Sequence, residues 1–168
     1  MVGAAAFLSF FAAVWWLAGC LLAHISPAIA IGPIPAFILL FLLARRKAQA
    51  LAPLPAAEAG RVARLVLIWS AVEGLGIFLA VILAVNLGHR ELIPAGIGIA
   101  VALHFLPLAR GIPAPGYYAT AAAMLAAALA AIVAPTLVSP AMFCLIAAAI
   151  LCATLAAIAI RAGKTAPA

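Results

Sequence analysis

Apolar residues run in six blocks along the chain, at about 4–25, 27–44, 62–87, 92–109, 117–138 and 140–160. Each is long enough for one helical crossing of a bilayer, which takes about 17–25 residues. The breaks between blocks hold turn formers: Ser26-Pro27, then Gly88 and Pro94, then Pro135 and Ser139-Pro140. A proline in the first turn of a helix sacrifices no intrahelical hydrogen bond, so several of these blocks open naturally beside one. The pattern predicts an all-α, polytopic transmembrane bundle of six helices arranged as three hairpins. Two longer linkers join the hairpins. One is a basic linker over 45–61, with Arg45, Arg46 and Lys47 followed by Pro53 and Pro55; the other covers 110–116, with Pro113 and Pro115.

Composition removes the alternative of a soluble protein. Hydrophobic residues make up 71% of the 168 positions and charged residues 7%, whereas a soluble globule carries about 25% charged residues. The length accommodates six crossings with short loops, so a single integral membrane domain over 1–168 is expected. The net charge of +6 is a topology signal, because Lys and Arg near helix ends stay on the cytoplasmic side. With the 45–61 linker inside, Arg45, Arg46, Lys47, Arg61, Arg64, Arg110, Arg161 and Lys164 fall inside and only Arg90 outside. Both termini are then cytoplasmic, in a cell inner (plasma) membrane. Anionic headgroups are the partner of such a basic face, and nothing soluble exists to present it to nucleic acid.

Leu17-Ala18-Gly19-Cys20 has the outline of a lipoprotein cleavage site, but Met1 to Ala6 holds no basic residue. The first block is therefore expected to remain as an uncleaved helix. Cys20, Cys144 and Cys152 are isolated within blocks, which predicts small apolar packing and no redox chemistry.

Candidate chemistry narrows to two groups. An ionisable side chain in hydrocarbon is expensive and is by default a functional hypothesis. Glu73 lies about 2 Å from the middle of the third block and His104 about 5 Å from the middle of the fourth, at about 1.5 Å rise per residue. Both are displaced toward the same side. Ser70, Glu73, Gly76 and Ala80 share one helix face, and Gly96, Ala100 and His104 share another. Small residues allow close helix approach, so a Glu73–His104 contact across that seam is expected. Two readings of the pair compete: a hydrogen-bonded lock between helices, or a proton- or cation-binding site. Pro107 frees the Leu103 carbonyl beside His104 and permits a kink. Trp69, and Trp15 on the first helix, are candidates for an aromatic-walled pocket. Tyr117 and Tyr118 suit an interfacial belt. His24, His89 and Glu91 fall on the outer side, yet no metal-ligand spacing joins them, so no metal site is expected.

The chain carries no H-E-x-x-H, G-x-S-x-G or phosphate-loop motif. No catalytic residue and no cofactor is therefore assigned, and the chain is expected not to be an enzyme. The run His104-Phe105-Leu106-Pro107-Leu108-Ala109-Arg110, followed by Tyr117-Tyr118-Ala119-Thr120 and preceded by Glu73, resembles a family of small uncharacterised six-helix bacterial membrane proteins over about residues 70–120. The resemblance implies that the Glu and His recur together, and it brings no activity, substrate or cofactor. The leading expectation is a transport-like or permeation-linked protein using Glu73 and His104. The competing one is an accessory or assembly protein that binds a second copy or a partner membrane protein through its helices, with the pair as structural glue.

Overall fold

The computed structural model describes residues 2–49, 55–112 and 116–164. Its helices are α1 (Val2–Leu22), α2 (Pro27–Ile31), α3 (Ile34–Gln49), α4 (Ala56–Asn86), α5 (Ile93–Gly111), α6 (Gly116–Val133) and α7 (Pro140–Lys164), with a 3-10 turn at Arg90–Leu92. Among the described residues there is no strand, and the chain is an all-α membrane protein. Four segments are long and apolar enough to cross a membrane: α4, Arg90–Gly111, α6 and Pro140–Ile160. Ala6–Leu22 and Pro27–Leu43 are shorter apolar segments. Side chains such as Leu67, Leu75, Phe78 and Leu83 on α4 point away from the protein, as a helix facing lipid requires.

The six predicted blocks reappear with changed ends. The second is broken, because Pro33 and Pro35 cannot donate to the carbonyls of Ile29 and Ile31; α2 stops at Ile31 and α3 restarts after Gly32 and Pro33. The linker predicted over 45–61 is shorter than expected. Helix α3 continues through Arg45 and Arg46 to Gln49, and α4 begins at Ala56 directly after Pro55. Arg, Lys, Gln, Ala and Glu are strong helix formers, so charge ends the hydrocarbon crossing without ending the helix. Pro53, also assigned to that linker, and Pro113 and Pro115 lie outside the described residues. The fifth block ends at Val133 instead of 138.

Two connections use the same device. At the end of α1, Ile25 donates to Cys20 O at 2.9 Å with His24 in the left-handed region (φ 53°). At the end of α4, His89 donates to Ala84 O at 2.8 Å with Gly88 left-handed (φ 76°). This six-to-one closure returns the chain after a helix. Ser139 opens α7, its hydroxyl accepting from Met142 N–H at 3.2 Å, with Pro140 next.

Contacts divide the chain into two compact units, one of residues 1–53 and 144–168, the other of 54–143. In the first, α1 packs along α3 and touches α2. Leu8, Ala12, Trp15 and Cys20 are among its buried positions on α1, at helical spacing. The Trp16 indole N–H donates to the Ala30 carbonyl at 2.8 Å, satisfying a group that the end of α2 leaves open. Trp16→Phe keeps the ring and loses this bond. It is expected to lower stability by about 1 kcal/mol, measurable as a lower melting temperature in detergent.

In the second unit α5 is the central helix, packing against α4 on one side and α6 on the other. Ala95, Gly98, Ala102, Phe105 and Ala109 make one buried stripe on α5, and Tyr117, Ala121, Met124, Ala128 and Ala131 make one on α6. Phe105 and Tyr117 join the two helices, ring centroids 5.4 Å apart. Gly98 leaves room for Phe143, whose ring atoms would lie within 3.2 Å of any added Cβ.

Candidate functional site: a buried carboxyl and imidazole between α4 and α5

The seam between α4 and α5 is built from small residues. A Cβ added to Gly76 would stand 3.2 Å from the Ala100 Cβ, and one added to Gly96 would stand 3.1 Å from the Ala80 Cβ. Gly111 is pressed against the Leu65 side chain. The facing positions therefore run in opposite directions along two antiparallel helices: Leu65 with Gly111, Gly76 with Ala100, Ala80 with Gly96. Two small-xxx-small pairs, Gly76/Ala80 and Gly96/Ala100, oppose each other and bring the backbones close. One turn from Gly76, on the same face, stands Glu73; one turn from Ala100 stands His104.

The two side chains meet in this seam. His104 Nδ1 lies 3.5 Å from Glu73 Oε2, and the side chains are 4% and 5% exposed. That separation exceeds the 2.7–3.2 Å of a formed N–H···O bond, and Nδ1 has no hydrogen-bond partner. The Trp69 backbone, one turn before Glu73 on α4, neighbours the imidazole, and Phe105 stands edge-on to it at 5.8 Å.

The proton arithmetic follows from the two facing groups. One proton placed between Nδ1 and Oε2 would complete the pair, as a carboxylic acid facing an imidazole or as a carboxylate facing an imidazolium. Without it, a carboxylate faces a neutral ring.

The other residues singled out from the sequence are distributed around this pair. Ser70 and Trp69 are half-buried on α4, the latter contributing its backbone. Pro107 sits inside α5, less than one turn past His104. Trp15 is buried on α1 in the first unit. Tyr117 is buried against Phe105, while Tyr118 is exposed. His89 Nδ1 and Glu91 Oε1 pair with each other at 2.9 Å on the surface. Among the described residues no three His, Cys, Asp or Glu gather as a metal site. Cys20, Cys144 and Cys152 are free thiols, the first two buried.

Sequence reasoning missed the Gly98–Phe143 and Gly111–Leu65 contacts. An isolated glycine in an apolar run was the available signal, but it names no partner. No family model matches the chain, and neither does any curated protein or solved structure. The reading of the site accordingly rests on its geometry.

Proposed function

We propose that the protein is a small transport-like inner-membrane protein in which Glu73 and His104 form a proton- or cation-exchange site. One observation carries this reading: a buried carboxyl and imidazole face each other without closing a hydrogen bond, and Nδ1 is left open. A pair serving only as glue between helices would be drawn to hydrogen-bond distance, because an open polar group in a low-dielectric surrounding is costly. Pro107 supports the same reading, since a proline inside a membrane helix leaves a carbonyl without its donor and loosens the segment carrying His104.

The test is proton flux by purified protein in liposomes bearing a pH-sensitive dye inside. Wild-type protein should dissipate an imposed pH gradient faster than empty vesicles. Glu73→Gln preserves the size of the side chain but cannot ionise, so it should keep the fold and lose this flux. Full flux in a folded Glu73→Gln variant would remove the proposal.

The basic residues further support an orientation with both termini inside. Reporter fusions after Lys47, after Arg110 and at Ala168 should read cytoplasmic, and one at His89 external. A cytoplasmic signal at His89 would reverse the α4–α5 hairpin and exclude this topology.

A further inference from the structure

Helix α4 is longer than a bilayer core requires. Its 31 residues rise about 46 Å, against about 30 Å of hydrocarbon. From Leu65 to Val85 it holds no Lys or Arg, and that stretch alone rises about 30 Å. Arg64 therefore stands at one edge of the apolar stretch, at the height of lipid phosphates, with Arg61 one turn further out. This height follows whichever leaflet the end of the helix faces.

At this place the helix surface carries an open notch lined by Gly60, Arg61, Arg64, Leu65 and Ile68. Among the described residues nothing stands within 4 Å of where a Gly60 Cβ would be, so the missing side chain leaves the notch open to them. The two guanidinium groups form its polar part; Leu65 and Ile68 form its apolar part. Leu65 is fixed by its contact with Gly111 of α5. Arg61 is only loosely engaged, its Nη2 4.0 Å from Glu58 Oε1 with both side chains exposed. Arg64 has no acidic partner among the described residues.

We infer that this notch binds the phosphate of an anionic glycerophospholipid, with Arg64 as its main anchor, Arg61 assisting, and the upper acyl chain lying on Leu65 and Ile68. Charge complementarity selects the occupant. Guanidinium donors match phosphate oxygens in pairs; the positive charge of Arg61 and Arg64 favours a lipid without a compensating ammonium; and the apolar lining continues toward the hydrocarbon, as a lipid chain does and a free anion does not.

The experiment titrates the full-length protein in detergent with phosphatidylglycerol, phosphatidylcholine or inorganic phosphate and follows both its melting temperature and lipid retention by native mass spectrometry. Phosphatidylglycerol should raise the melting temperature and remain bound, with phosphatidylcholine clearly weaker and inorganic phosphate without effect at equal concentration. Arg64→Gln should weaken phosphatidylglycerol binding about fivefold, the effect of losing one basic residue at a lipid surface, and Arg64→Lys should recover part of it. Gly60→Leu fills the notch while leaving every charge in place, and should also weaken binding. Both Arg64 and Gly60 are exposed, and unchanged melting without lipid verifies that the variants fold. Equal stabilisation by phosphatidylcholine or by inorganic phosphate would overturn the assignment. So would undiminished phosphatidylglycerol binding by Gly60→Leu, which would reduce the effect to a diffuse attraction between charges.

Discussion

Replacing either Glu73 or His104 by alanine is expected to destabilise the folded protein by about 1–3 kcal/mol, because each replacement strands the other polar group in a dry seam. The double replacement should cost less than the sum of the two. Once one partner is gone, removing the second takes away a group that already lacks compensation. A coupling of about 0.5–2 kcal/mol is the expected scale for polar pairs between membrane helices. The measurement is a double-mutant cycle by unfolding in mixed micelles. Strict additivity would show that the 3.5 Å approach carries no energy, and the proton arithmetic drawn from it would fail. The cycle reports contact alone; flux by Glu73→Gln reports exchange. A protein using the pair only to hold its helices together would show coupling and no flux.

A second large effect is expected at Gly98. A methyl group there would meet the Phe143 ring, which is fully buried at 0% exposure. Gly98→Ala should cost about 1–3 kcal/mol, the range for overpacking a filled interior. Phe143→Leu removes the obstructing ring edge. Combined with Gly98→Ala it should therefore cost less than the two substitutions separately. Gly74 is the control, because a Cβ there meets nothing within 4 Å. Gly74→Ala should be neutral or stabilise by up to about 1 kcal/mol through helix propensity alone. Equal melting temperatures for Gly98→Ala and Gly74→Ala would show that the Phe143 contact is not tightly packed.

The seam was legible from residue spacing for a specific reason. Glu73 and His104 are the ionisable residues near the middle of their blocks, and Gly76 and Ala80 on one helix, and Gly96 and Ala100 on the next, share their faces at helical spacing. A short connection then leaves few ways to join those faces. The stripe of α5 that packs toward α6 and Phe143 was less legible. In hydrocarbon both a buried face and a lipid-facing one are apolar, so Phe105 and Leu106 look alike in the sequence although one is buried and the other exposed. The ends of α3 and α4 were misjudged for another reason. Arg45, Arg46 and Lys47 report where hydrocarbon stops, while the helix continues wherever propensity and hydrogen bonding allow.

The antiparallel match of α4 and α5 also restricts how the two helices can move against each other. Sliding one past the other by a single turn, about 5.4 Å, would leave the Glu73 carboxyl opposite the Ala100 methyl group and take the imidazole away from its acidic neighbour. In that direction Gly76 would come opposite Gly96 and Ala80 near Leu92, which loosens one of the present close contacts and crowds the other. The polar pair thus acts as an index mark, the role a lone polar position plays in fixing the alignment of paired helices.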